Sequence, residues 1–405
     1  MHGLSTREAE TDDGGFAQTA LAPDVTDLGP GYPDPGLLPT QLLARGLAQA
    51  VQHYGNRIFV YGANNGARAV RQAIAEYSTG DRCPALRADS VLVTAGASHA
   101  LDLVCTRFSR PGDVVLVQRA SYYLALELFA SRGLVAIPVG RDYCVPTASE
   151  LERAVCSLRR AGRTVAFGYL VPTFHNPTGR TLSLAERQAL VGAAKYLDLL
   201  LVEDDPYREL YFHTPPPPTL FALADGSGVL AVRTLSKVLA PGLRVGWLLG
   251  TPAVVGELAQ DALFNSGGGI AHLTSAGVLR VLVSGEMEGH VASMRHEYLR
   301  RRDALLTGLS PATSAGASWQ VPSGGFFAWV KLPSAVPACD LERAAAGCGV
   351  RFWPGLLSFA VAPRDAAAFI RLAFSLYGAE RLRAAGAALA QAIHECAATA
   401  GTYAQ

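Results

Sequence analysis

The chain has 405 residues and a combined Lys and Arg count of 35, yet only Lys195, Lys237 and Lys331 are lysines. Arginine would solvate a surface equally well, but its guanidinium keeps its proton. A lysine amine can lose one, attack a carbonyl and form a Schiff base. Lys237 lies in "TLSKVLAPGLRVGW" (234–247), with Thr234 and Ser236 before it and Arg244 after it. Hydroxyls and a guanidinium beside a nucleophilic amine supply phosphate ligands, the guanidinium as a forked, charge-assisted partner. "LLLVEDDPYREL" adds Glu203, Asp204 and Asp205 directly after an apolar run. Such acids can cap the next helix; one at the mouth of a buried strand is also placed to pair with a cationic ring nitrogen. "VLVTAGASHAL" ends an apolar run in Gly96 and opens a helical pattern at Ala97, Ser98 and His99. Free backbone N–H groups and the helix dipole favour an anion there. In "PTFHNPTGR", Asn176 precedes a Pro-Thr-Gly turn, its amide either closing an Asx-turn or pointing into a site.

These parts suit one kind of molecule, a cofactor carrying an aldehyde, a phosphate and a pyridine nitrogen. Lys237 would take the aldehyde, Ser98, Ser236 and Arg244 the phosphate, and Asp204 the protonated nitrogen. That molecule is pyridoxal 5'-phosphate.

Strands and helices must bring these residues together. Apolar runs at 90–96, 113–118, 164–172, 199–205, 229–236 and 244–250 read as strands. Helical patterns at 97–108, 122–133 and 183–197 lie between them. Strands buried on both faces and separated by helices predict a mostly parallel α/β sheet, with ligands at the strands' carboxyl ends. The Pro/Gly-punctuated stretch 27–39 reads as an arm lying over another element. After about 285 a long charged helix begins, followed by a strand at 324–333 and Ala-rich helical text to the end. The expected division is an N-terminal arm (1–45), a large cofactor-binding domain (46–285) and a smaller C-terminal α+β domain (286–405).

The composition excludes several other classes. A net charge of +1 with dispersed arginines gives no field for nucleic acid or an anionic membrane. Seven widely spaced cysteines, an odd number without a C-x-x-C pair, argue against a disulfide scaffold or zinc site and for a reducing cytoplasm. No stretch approaches the length of a bilayer span, and the N-terminus lacks a basic start and an apolar run. The nine histidines show no metal-binding spacing, so no metal is expected. "SGGGIAH" (266–272) lacks a dinucleotide-binding frame and reads as a loop near the cofactor, and "HTPPPPTL" (213–220) as a surface loop.

"NPTG", "EDDPY", "SKVLAPGLRVGW", "PSGGFFAWV" and "IRLAFS" occur in an order and spacing that resemble the class I/II aminotransferases, the fold-type I PLP enzymes. The likeness is strongest to their aminoadipate and aromatic aminotransferase branch and runs from about residue 27 to 390. It implies that Lys237 holds PLP as an internal aldimine and shuttles a proton, and that Asp204 keeps the pyridine nitrogen protonated. It further implies that Tyr207 and Asn176 bond the phenolic oxygen, that Tyr122 stacks on the ring, and that Tyr61 reaches a partner's phosphate in a homodimer. Arg371 would clamp the substrate's α-carboxylate, and Gly31, Tyr32, Ile58, Phe59 and Asn64, from the arm and the neighbouring subunit, are the candidate pocket residues for the substrate's side chain. Two departures stand out: Gln118, Arg119 and Ala120 replace an E-x-P segment, and Ala97 replaces a serine in the phosphate turn, leaving more to backbone N–H groups. The implied reaction moves an amino group from an α-amino acid to a 2-oxo acid through a pyridoxamine form. A C–S β-lyase or a decarboxylating deaminase of specialised metabolism would use the same residues. A PLP-sensing regulator would need an added DNA-binding segment, for which the first 25 or so residues leave no room.

Overall fold

The computed structural model describes residues 24–79, 86–140, 146–334, 336–363 and 365–403. Residues 1–23 of the expected arm, Cys83 and Cys144 lie outside them. Thirteen strands are formed among the described residues. The arm contributes β1 (Thr26–Asp27). The central sheet holds β2 (Val91–Thr94), β3 (Val114–Gln118), β4 (Val135–Val139), β5 (Val165–Leu170), β6 (Leu201–Asp204), β7 (Val229–Thr234) and β8 (Gly246–Leu249). Beyond it come β9 (Ser318–Trp319), β10 (Phe327–Lys331), β11 (Val350–Arg351), β12 (Trp353–Pro354) and β13 (Phe369–Ala373).

The central order is β2-β8-β7-β6-β5-β3-β4, and only β8 runs against its neighbours. Alternation explains the apolar runs: Val114 and Leu116 enter one core cluster, Val115 and Val117 another on the opposite face. Between strands the helices start where the chain supplies caps. Thr147 with Glu150, and Ser183 with Glu186, form capping boxes at Ala148–Arg160 and Leu184–Tyr196.

A second, antiparallel sheet has the order β12-β13-β10-β9. It corrects the expectation of helical text after residue 334. Helices do occupy Ala338–Gly347 and Ala379–Tyr403, but "VRFWP" and "FIRLA" between them are strand text. Their aromatic and β-branched residues pack on a pleated surface, a signal the alanine runs around them hide. Val93 and Leu116 of the central sheet share one core cluster with Phe327 and Ile370 of the second, so the two sheets are joined through apolar packing.

The arm crosses this junction. Its β1 pairs in parallel with β11, Thr26 opposite Val350. A side chain at Gly31 would put its Cβ 2.4 Å from the Phe327 ring, which is why the arm can lie this close only as glycine. The glycine run expected as a loop is closely packed for the same reason: Gly269 N donates to Gly62 O at 3.0 Å, and a Cβ at Gly269 would sit 2.1 Å from Ala63 O.

Candidate active site

The carboxyl ends of the parallel strands and the middle of β13 face one another across the sheet junction. Lys237 follows β7, half-buried, and its Nζ donates to the arm's Gly31 carbonyl at 2.9 Å. Desolvation lowers the amine's proton affinity first, and the charges of Arg371 and Arg244 add to this against the opposing pull of Asp204. The amine's pKa falls to about 8. A lysine so placed is a nucleophile near neutral pH.

Beside it, register brings three strand ends together, with Gly246 opposite Thr94 on one side and Thr234 on the other. Ser236 is buried, its hydroxyl 2.8 Å from that of Thr234. Arg244, in the left-handed region at φ 50°, donates from Nη2 to Ala95 O at 2.9 Å. Gly96 caps the helix Ala97–Phe108, and a Cβ there would sit 2.7 Å from the Arg244 guanidinium. Ala97 and Ser98 open that helix with their N–H groups in its first turn. Guanidinium, hydroxyl and helix N-terminus thus form one anion cradle.

Asp204 ends β6 at 3% exposure. Tyr169 on β5 donates to its Oδ2 at 2.7 Å, while Oδ1 is buried with no hydrogen-bond partner among the described residues. Burial raises the carboxyl's pKa to about 7, opposed by the Tyr169 hydrogen bond. A buried acceptor without a donor is costly, and a protonated ring nitrogen would satisfy it. With the cradle and the amine, this orphaned oxygen fits the chain to a pyridoxal phosphate. Glu203 and Asp205 take other roles: Glu203 accepts from Leu220 N and Phe221 N at 3.0 Å each, the capping function foreseen for one of the acids.

Arg371, at the centre of β13 and 2% exposed, donates from Nη1 to Asn176 Oδ1 at 2.8 Å and from Nη2 to Gly29 O at 2.6 Å. Asn176 therefore points inward instead of closing an Asx-turn. The Arg371 guanidinium lies 4.4 Å from the Phe327 ring centroid, 5.2 Å from Trp353 and 5.9 Å from Tyr123, and its Nε has no hydrogen-bond partner among the described residues. Desolvation lowers its pKa to about 10.

Tyr207 is buried against Phe326 and Phe327. Tyr122 precedes the helix Tyr123–Ser131; burial and the Asp204 charge raise its phenol pKa, opposed by Arg371. Tyr32 follows Gly31 on the arm, its carbonyl accepting from Ser375 Oγ at 2.6 Å. The structure thus gathers Lys237, Asp204, Tyr207, Tyr122, Asn176, Arg371, Gly31 and Tyr32 into one site, with the cradle of Ala97, Ser98, Ser236 and Arg244 at its edge. Four residues lie otherwise within the single chain, Phe59 among them at 63% exposure. Tyr61 is 84% exposed. Ile58 is packed with Ala50 and Ala276, and Asn64 bonds Asn265 and Ala259 O within its own chain. The sequence reading overlooked Tyr169, Tyr123 and Trp353; Tyr169 was detectable as a hydroxyl inside the apolar run "VAFGYL".

The Aminotransferase class I and II family model matches residues 23–360, and the chain belongs to that family. It is 29% identical to the aromatic-amino-acid aminotransferase 1 of Thermococcus litoralis, over 92% of this chain and 88% of that one. It is 30% identical to the uncharacterized HTH-type transcriptional regulator YisV of Bacillus subtilis, over 78% of this chain but 63% of that longer one. The structure of a Pyrococcus horikoshii kynurenine aminotransferase in complex with PMP, KYN and KYA superposes with a TM-score of 0.84 at 30% identity, covering 92% and 91% of the two chains. The fold is that of the fold-type I PLP-dependent aminotransferases, and the chain is an enzyme of that kind with pyridoxal 5'-phosphate as cofactor.

Proposed function

We propose that the chain moves the amino group of an α-amino acid to a 2-oxo acid at a site centred on Lys237. The observation that carries this reading is a half-buried lysine amine of lowered proton affinity, set between a carboxylate with an orphaned oxygen and a buried arginine. When bound, the cofactor supplies an electron sink for charge developing at the substrate's α-carbon. The protein's residues do the rest. Lys237 anchors the cofactor and carries a proton at Nζ. Asp204 Oδ1 receives the ring N–H, Tyr207 and Asn176 hold the phenolic oxygen, and Tyr122 covers the ring. Ala97, Ser98, Ser236 and Arg244 hold the phosphate. Arg371 takes the substrate carboxylate in a forked pair, with Gly31 and Tyr32 beside the side chain.

Phe59, Val60 and Tyr61 are 63%, 62% and 84% exposed in succession. An apolar run of this kind favours a covering partner, and we assign it to a homodimer in which Tyr61 reaches the other subunit's phosphate cradle. We divide the chain into an arm (1–45), a large domain (46–285) and a small domain (286–405), with the arm's Gly31 beside Lys237. No helix among the described residues is long and apolar enough to cross a membrane, and the free cysteines favour a cytoplasmic setting.

The test is product analysis with a panel of amino acids and 2-oxo acids. A paired appearance of new 2-oxo acid and new amino acid is expected. Release of pyruvate with a thiol, or of carbon dioxide, would instead establish lyase or decarboxylating chemistry. Borohydride reduction and peptide mapping should place the B6 label on Lys237.

A further inference from the structure

Strand β5 pairs with β6 so that Tyr169 lies opposite Val202, placing Asp204 two residues further along the same face. The Tyr169 ring is fully buried and packs edge-on to Phe129 at 5.3 Å. Its hydroxyl is therefore fixed in space before any ligand arrives. It donates to Asp204 Oδ2 at 2.7 Å, the short range of a phenol bonded to a carboxylate. Desolvation and the Asp204 charge hold the phenol well above its usual pKa, so it stays a donor. On the other face, Glu203 faces Arg187 and Asp205 faces Arg208, both at 3.7 Å, which pins the residues flanking Asp204. One carboxylate oxygen is thus occupied and oriented, and the other is left open.

We propose that Tyr169 is a positioning residue for the cofactor's ring nitrogen: by donating to Oδ2, it favours the anionic form of Asp204 and aims Oδ1 at the ring N–H. The proposal rests on the reading that Asp204 receives that nitrogen. Tyr169 touches neither substrate nor cofactor in this role and acts through the carboxylate alone.

The test compares binding of pyridoxal phosphate with that of its carbocyclic analogue, in which a C–H replaces the ring nitrogen, to the full-length protein. The wild type should prefer the natural cofactor strongly. In Tyr169→Phe the ratio of the two dissociation constants should fall about ten-fold, the scale of a hydrogen bond to a charged group. p-Aminophenylalanine at position 169, which keeps the ring and a donor, should restore most of it. A purely structural role would weaken both ligands alike and leave the ratio unmoved, which would overturn the proposal. If Tyr169→Phe does not fold, p-methylphenylalanine fills the hydroxyl's space without a donor and serves in its place. A wild-type ratio near one would refute the Asp204 reading itself; a large ratio unaffected by either replacement would refute only the part played by Tyr169.

Discussion

The two faces of β6 carry buried acids of the same chemistry and opposite fate. Glu203 accepts two backbone N–H groups and faces Arg187, with both side chains fully buried. Asp205 accepts from Thr173 at 3.3 Å and faces Arg208, both through Oδ2, while its Oδ1, like that of Asp204, has no hydrogen-bond partner among the described residues. Asp204, between them, has one hydrogen bond and one buried oxygen without a partner among the described residues. Burial alone therefore does not mark a functional acid. Where an arginine stands within ion-pair distance, the acid holds strands and helices together; Asp204, which faces only the more distant Lys237 amine, is left for a ligand.

Removing the counter-charge on the paired face should have the largest effect. Arg187→Met leaves Glu203 buried without its cation, an arrangement that typically costs about 3–5 kcal/mol. Urea unfolding should show that loss, while cofactor affinity of the folded protein changes little. An unfolding midpoint equal to wild type would mean the ion pair is not structural. Asp204→Asn should act in the opposite direction. The folded carboxyl holds its proton up to about pH 7, whereas in the unfolded chain it loses it near pH 4. The folded state therefore binds more protons between those values, and stability falls as pH rises through that window. Replacing the group removes this cost, less that of burying an amide N–H. The cofactor-free variant should then gain about 1–2 kcal/mol at pH 8 and bind the cofactor more weakly. Melting curves at pH 5 and pH 8 should show the advantage growing with pH; a variant less stable at pH 8 would erase the distinction between the faces.

Much of this arrangement is legible in the sequence because it rests on local chemistry. The helix at Ala97 and the strands ending at Asp204 and Thr234 follow from apolar runs broken by Gly or acids. What cannot be read locally is which acid faces which way, since that depends on pairing with β5 and on Arg187, 16 residues upstream of Glu203. The same limit hid Trp353: its strand has two residues, too short for any periodicity, and its contact with Arg371 exists only through the β12–β13 register. Nor does proximity in sequence to Tyr61 fix burial. Ile58 faces inward at 2% exposure while its neighbour Phe59 is at 63%.

The smallest expected effect links the two charges that face each other across the site. With a pKa of about 8, roughly a tenth of the Lys237 amine is neutral at pH 7 and nine tenths at pH 9. An ordinary lysine near 10.4 would still be only a few per cent neutral at pH 9. The rate at which cofactor-free protein takes up pyridoxal phosphate should rise about ten-fold over that range and level off. A steady rise through pH 10 would show that the amine is not desolvated. Asp204 opposes the lowering, so Asp204→Asn removes the one nearby anion that favours the ammonium form. Its midpoint should therefore move below that of wild type, whereas Arg187→Met, acting on the other face of the strand, should leave the midpoint in place.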